Sequence, residues 1–233
     1  MSTIECSTPN CQLVLHHIIP IIGVFTALWI FIAPFKSVKR LGNSDNLENV
    51  NPLPFPMIVA NCLGWLVYGL LIQDIYVIIP NIIGYQFGIY YTLMAYRIAA
   101  PEFQSRALQI LIGSSLLVFI GGVLGFIVLQ GNEAGRIVMG LVCVVILAVF
   151  YCSPLSDFYN VIKKKDASSI DVYLAAASLV NGSLWTVYGF AIGDTFIWSP
   201  NLLGVVLSLV QFVLLAIFAR PKSHEFQVLR NAT

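Results

Sequence analysis

The stretch Asn61-Cys62-Leu63-Gly64-Trp65-Leu66-Val67-Tyr68-Gly69 returns 120 residues later as Asn181-Gly182-Ser183-Leu184-Trp185-Thr186-Val187-Tyr188-Gly189. The same offset pairs Pro34 with Pro154, Asp74 with Asp194, Pro80-Asn81 with Pro200-Asn201, and Gly84 with Gly204. Apolar character alone would repeat leucines and valines. It does not bring back amides, carboxylates and glycines in one register, so the chain carries an internal duplication.

Composition says what kind of unit was duplicated. Of 233 residues, 58% are hydrophobic and 10% charged, with a mean hydropathy of +0.87, where a soluble domain carries about 25% charged residues. Apolar runs predict membrane spans near 14–34, 54–73, 75–96, 108–130, 136–156, 170–191 and 196–219. At about 20 residues per crossing, seven spans take up about 140 residues, which leaves little for an extramembrane catalytic domain. An offset that steps over four helices divides the chain into a three-helix repeat at 14–96, a linker helix at 108–130, a second three-helix repeat at 136–219 and a tail at 220–233. A single linker crossing points both triplets the same way. The expected fold is an all-α integral membrane protein of seven transmembrane helices in a 3+1+3 arrangement of parallel repeats.

Eleven of the twelve basic residues, Lys36, Lys39, Arg40, Arg97, Arg106, Lys163, Lys164, Lys165, Arg220, Lys222 and Arg230, fall on one side of this topology, and only Arg136 falls on the other. That excess predicts a cytoplasmic carboxyl terminus and an amino terminus outside or in a lumen, in the plasma membrane or an endomembrane such as the vacuole. No strongly basic segment precedes the first apolar run, so it is expected to stay as a span.

Several function classes drop out. A net charge of +1 without an arginine-lysine patch argues against a nucleic-acid partner. HExxH, GxSxG and GxxxxGKS motifs are absent, and His16, His17 and His224 stand apart from any acid in an apolar span, so neither an enzyme, a metal site nor a cofactor is expected. Cys62, Cys143 and Cys152 lie in apolar runs as packing residues, while Cys6 and Cys11 are close enough for a local disulfide. Asn181-Gly182-Ser183 and Asn231-Ala232-Thr233 match the glycosylation pattern, but one sits inside a span and the other on the cytoplasmic tail.

The repeated polar residues are the candidate site. Asn81 and Asn201 each follow a proline in the third span of their triplet. A proline inside a span frees carbonyls and bends the helix, exposing backbone and amide to a cavity. A carboxamide both donates and accepts, as a sugar hydroxyl does. Trp65 and Trp185 stand 16 residues earlier with a tight turn between, which places each at about the depth of its asparagine and offers an indole face to the C–H face of a pyranose. Pro34 and Pro154 end the first span of each triplet and Pro54 opens the second, as hinges. Tyr68, Tyr188 and Asp194, with Asp74 as first-half partner, lie near the tight turns, where a tyrosine–carboxylate bond would close over the cavity. Glycines, including Gly121, Gly122 and Gly125 on the linker, permit close helix approach.

In order and spacing, IAPF at 32–35, FPMIVANCLGWLVYG at 55–69, PNIIG at 80–84, CSPLS at 152–156, NGSLWTVYG at 181–189 and SPNLLG at 199–204 resemble the SWEET (MtN3/saliva) family of sugar transporters, across essentially residues 14 to 221. The resemblance implies that the asparagine pair is the central substrate contact, that Trp185 is the pocket tryptophan of the second half, and that Tyr68 and Asp194 form an extrafacial gate. It also implies a cytoplasmic gate hinged on four prolines, whose fourth position here is Asp171. With aspartate there the hinge set is incomplete, and the residue is expected either to cap its helix or to pair with Lys163, Lys164 or Lys165. Trp65 departs from the family, which often carries a smaller residue at that place. Two indoles would narrow the cavity and favour a monosaccharide over a disaccharide. No span holds a central glutamate, lysine or arginine, so a facilitative, bidirectional uniporter working by alternating access is expected rather than a proton-coupled carrier. Its partners are then a small sugar and the lipid bilayer, and a homodimer or trimer is plausible because each triplet is thin.

Two rivals have different signatures. A seven-helix receptor shares span count and orientation but leaves the repeat unexplained. A PQ-loop carrier of amino acids or another small solute would show Pro-Gln at the bends, where this chain has Pro34-Phe35 and Pro154-Leu155.

Overall fold

The computed structural model describes residues 8–47 and 50–218, together with the backbone but not the side chains of 152–154. Cys6 and the tail lie outside the described residues; Cys11 is disulfide-bonded. Every regular element described is helical. The chain enters through Pro9–Leu13 and a π-helical turn, Val14–Ile18, into α1 (Ile19–Ile32), bends at Ala33-Pro34 and makes a short helix, Phe35–Arg40. Then follow α2 (Pro54–Ile72), α3 (Ile75–Tyr96), α4 (Pro101–Val123, prolonged by a π-helical stretch Leu124–Val128), α5 (Glu133–Lys164), α6 (Val172–Ala191) and α7 (Thr195–Phe218).

By length and composition, five segments qualify as membrane-crossing: Pro9–Leu41, α2, Pro101–Val128, α5 and α7. The protein is a multi-pass membrane protein. Helices α3 and α6 fall outside that set, and both carry the polar residues of the repeated motifs, Asn81 on α3 and Asn181 on α6.

The spans expected at 136–156 and 170–191 leave the basic segment 163–165 in a loop between them; in the structure it closes α5 instead. Lys163 and Lys164 form the last turn of α5, where cations favour the negative end of the helix dipole, and Lys165 closes it with a left-handed φ of 52°. Pro34 sits in the turn between α1 and the short helix, whereas position 154 lies inside the continuous α5, ten residues short of its end. The first-helix prolines of the two halves therefore do not end their helices alike.

Helix α1 packs on α3 and α6, α2 on α3 and α5, and α7 on α5 and α6, which closes a six-helix ring in the order α1, α3, α2, α5, α7, α6. Helix α4 lies outside the ring against α2, α5 and α3. Two of its glycines face its neighbours: a Cβ on Gly121 would lie 2.9 Å from Val142, and one on Gly122 3.4 Å from Val67. Lipid tails are as apolar as leucine, so close packing of this sort, more than exclusion from water, holds membrane helices together.

The buried clusters divide the molecule by height. Toward the tight turns, Trp65, Tyr68 and Val77 of the first half share one core with Met139, Cys143, Trp185, Tyr188 and Ile197. Toward the basic end the cores separate. Val38, Leu41, Phe55, Tyr91 and Ala95 pack within the first half, and Phe158, Val161, Ala167 and Leu214 within the second. Among the described residues the halves are joined at the tight-turn end, and no buried cluster joins them at the basic end.

The tight turns have matching chemistry. Helix α2 ends on Gln73 (φ 56°) and α6 reaches Gly193 (φ 69°), both left-handed, and the N–H groups of Asp74 and Asp194 donate to the carbonyls of Gly69 and Gly189 at 3.0 and 2.8 Å. Here α6 and α7 touch backbone to backbone: a Cβ at Gly189 would lie 2.5 Å from Trp198 N and 2.9 Å from its Cα. Backbone cannot turn aside as a side chain can. Gly189→Ala is expected to cost about 1–3 kcal/mol through overpacking and to lower the melting temperature of the detergent-purified protein by several degrees; an unchanged melting temperature would contradict the contact.

Candidate functional site

A cavity of about 130 Å³ lies inside the ring, lined by Ala27 and Phe31 of α1, Asn61 and Trp65 of α2, Val77, Pro80 and Asn81 of α3, Asn181 and Trp185 of α6, and Ile197 and Asn201 of α7. All four residues singled out for substrate contact, Asn81, Asn201, Trp65 and Trp185, meet there. Every lining side chain is neutral.

The prolines do not break the helices as the sequence reading expected. Helices α3 and α7 run through Pro80 and Pro200 without interruption. Each following asparagine folds its amide back instead: Asn81 Nδ2 donates to the Val77 carbonyl and Asn201 Nδ2 to the Ile197 carbonyl, both at 2.8 Å. One N–H is spent on the helix, which fixes the carboxamide plane. The second N–H and the Oδ1 are left for a ligand, so each amide still offers a donor and an acceptor.

Asn61 and Asn181 were overlooked as site residues, although they open the repeated motif. Each stands four residues before its tryptophan, one helical turn away on the same face, and its Oδ1 accepts the indole N–H at 3.2 Å. These bonds orient the indoles and occupy their only donors. The halves differ at this point. The Thr26 hydroxyl lies 2.9 Å from both Asn181 Oδ1 and the Gly23 carbonyl oxygen, whereas the residue 120 positions on from Thr26 is Ile146, which cannot bond Asn61.

The tight-turn end is tied by two crossed bonds. Tyr68 donates its hydroxyl to Asp194 Oδ2 at 2.7 Å, and Tyr188 donates to Asp74 Oδ2 at 2.6 Å. Each tyrosine reaches the carboxylate of the opposite half. The other carboxylate oxygen caps its own helix: Asp74 Oδ1 accepts from Tyr76 N, and Asp194 Oδ1 from Phe196 N and Ile197 N. Trp65 and Trp185 stand edge-on to Tyr68 and Tyr188 with ring centroids 5.6 and 5.9 Å apart, so the cavity wall and this tie form one packed unit. Above it a wider cavity of about 420 Å³ is lined by Gln73, Asp74, Tyr76, Arg136, Tyr188 and Asp194, among others.

The remaining predicted positions lie at the opposite end. Pro54 is the first residue of α2 and Pro34 precedes the short helix Phe35–Arg40. Asp171 caps α6, its Oδ1 accepting from Tyr173 N at 2.8 Å and Leu174 N at 3.1 Å. Among the described residues no ion pair joins Asp171 to a lysine.

The sequence matches the family described as "Sugar efflux transporter for intercellular exchange" over residues 17–102 and 137–223, most of the chain. This chain belongs to the SWEET family. A sugar transporter named SWEET1 from Danio rerio is 32% identical over 191 residues, covering 82% of this chain and 86% of that protein. A bidirectional sugar transporter named SWEET4 from Oryza sativa subsp. indica is 29% identical over 203 residues, covering 86% and 78%. Among solved structures, a eukaryotic SWEET transporter superposes with a TM-score of 0.76 at 23% identity, covering 88% of this chain and 97% of that one; the likeness is one of fold. The two matched SWEET segments contain α1–α3, α5 from residue 137 onward, and α6–α7, and leave out most of α4.

Proposed function

We propose that this SWEET protein is a facilitative, bidirectional sugar uniporter that works by alternating access, built as seven spans in two parallel three-helix repeats joined by the linker α4. The observation that carries this reading is the neutral chamber to which both halves contribute the same amide and indole pair. Its halves share a core and two crossed hydrogen bonds at one end and pack separately at the other. Such a molecule is closed toward the tight turns. Rocking the halves about the chamber would exchange that closure for one at the basic end, which we assign to the cytoplasm.

A sugar in the chamber would hydrogen-bond the free N–H and Oδ1 of Asn81 and Asn201 and stack on Trp65 or Trp185. With no carboxylate or ammonium among the lining residues, nothing in the chamber couples a proton or holds a charged amino acid. Flux would therefore run down the sugar gradient in either direction. The direct test is uptake of labelled glucose by liposomes holding the purified protein: saturable uptake supports the reading, and uptake of an amino acid in its place refutes it.

The paired indoles support a monosaccharide as substrate. Trp65→Ser removes one ring and opens the first-half wall. Sucrose uptake is expected to rise relative to glucose uptake in this variant, measured as the ratio of the two initial rates. An unchanged ratio would remove the indole from the account of selectivity.

A further inference from the structure

Arg136 is the basic residue among those lining the cavity at the tight-turn end, and the mechanism above gives it no task. It sits in the first turn of α5, which packs against α7. One turn further along, Gly140 lies against the ring of Phe196, the residue whose N–H is capped by Asp194. Arg136 and Asp194 line the same 420 Å³ cavity.

In the closed arrangement Arg136 is poorly provided for. Its Nη2 is 3.4 Å from Glu133 Oε1, within one helix and with Glu133 68% exposed, a surface pair worth little. Its Nε is buried with no hydrogen-bond partner, which is costly for a guanidinium donor. Both oxygens of Asp194 have donors, two backbone N–H groups on one and the Tyr68 hydroxyl on the other. Opening this end withdraws Tyr68 with α2 and leaves Oδ2 of a carboxylate that is 3% exposed without its donor. The molecule thus holds an underused cation beside an anion that opening would strip.

We propose that Arg136 is the exchange partner of Asp194: it takes over the carboxylate when Tyr68 leaves and so stabilises the conformation open at the tight-turn end. A ligand or side chain shifts a conformational equilibrium only through different contacts in the two states, and Arg136 meets that condition because its pairing is incomplete in the closed one. The role belongs to the second half. The residue 120 positions before Arg136 is His16, so the Tyr188–Asp74 bond has no arginine in the matching place. Arg136 acts through Asp194 as a positioning residue for the gate. The inference rests on alternating access but not on which solute is carried.

The test reads accessibility and needs no sugar. A cysteine at Val77, which lines the central cavity, is modified by a membrane-impermeant methanethiosulfonate applied to one side of oriented vesicles, with the parent protein as background. R136Q is expected to slow modification from the tight-turn side by at least about fivefold, the lower end of typical coupling between sites. It should leave modification from the basic side unchanged or faster, and R136K should recover most of the loss. An unchanged rate from the tight-turn side, or equal losses from both sides as misfolding would give, overturns the proposal. No modification from the tight-turn side even with Arg136 present would overturn it together with alternating access, whereas a failure of the sugar reading alone leaves this result intact.

Discussion

Glucose flux is expected to fall about fivefold or more when Asn81 or Asn201 is replaced by alanine, with the protein still folded and monodisperse in detergent. Each substitution deletes the free N–H and Oδ1 that face the chamber. Two hydrogen bonds at about 0.5–1.5 kcal/mol each correspond to roughly fivefold to a hundredfold, since about 1.4 kcal/mol is one decade. The alanine also leaves the Val77 or Ile197 carbonyl without its side-chain donor, a smaller cost because each helix is continuous there. The two variants should resemble one another, because the two amides are held alike. Near-normal flux in either would separate that amide from the substrate and leave it as a bond between helix and side chain.

The second large effect is on the closure. Tyr68→Phe keeps the ring against Trp65 and Phe196 but withdraws the hydroxyl from Asp194, which is 3% exposed. A hydrogen bond to a charged group contributes about 1.5–3 kcal/mol, so the balance should move toward opening at the tight-turn end by roughly tenfold to a hundredfold. The readout is faster modification of a cysteine at Val77 from that side. Tyr188→Phe should act in the same direction but more weakly, because Asp74 is only half-buried and water can replace the lost donor. The sign is opposite to that expected for R136Q, which separates loss of the closed-state donor from loss of the open-state partner. No acceleration in Tyr68→Phe would mean that this bond does not hold the end shut.

Much of the site was legible because the duplication marked it. Asn81, Asn201, Trp65 and Trp185 stand out as polar or aromatic residues repeated in register within apolar runs, and they meet in one cavity. Tyr68, Tyr188, Asp74 and Asp194 were placed near the turns by the same register, but the crossing of the bonds between halves depends on how the triplets face each other. No spacing along one chain encodes that.

What the sequence hid is where the halves differ or where a rule has two outcomes. Proline in a span suggests a break, yet α3 and α7 run through Pro80 and Pro200, and the amide one residue on bonds back to its own helix. Symmetry made Pro34 and Pro154 look equivalent, yet α5 runs on past position 154 while the chain bends at Pro34. Asn61 and Asn181 read as motif letters until the four-residue step to the indoles placed them on the cavity wall. Thr26, which bonds Asn181, was invisible to the repeat because its counterpart Ile146 has no hydroxyl.

The central claim is that a neutral chamber carries sugar down its gradient without a coupling ion. Labelled glucose exchange in proteoliposomes, run inward and outward with and without an imposed proton gradient, tests it most directly. Glucose is expected to equilibrate in both directions to equal concentrations, at a rate the proton gradient leaves unchanged. Accumulation above equilibrium that requires the gradient, or absence of glucose flux through folded protein, would contradict it.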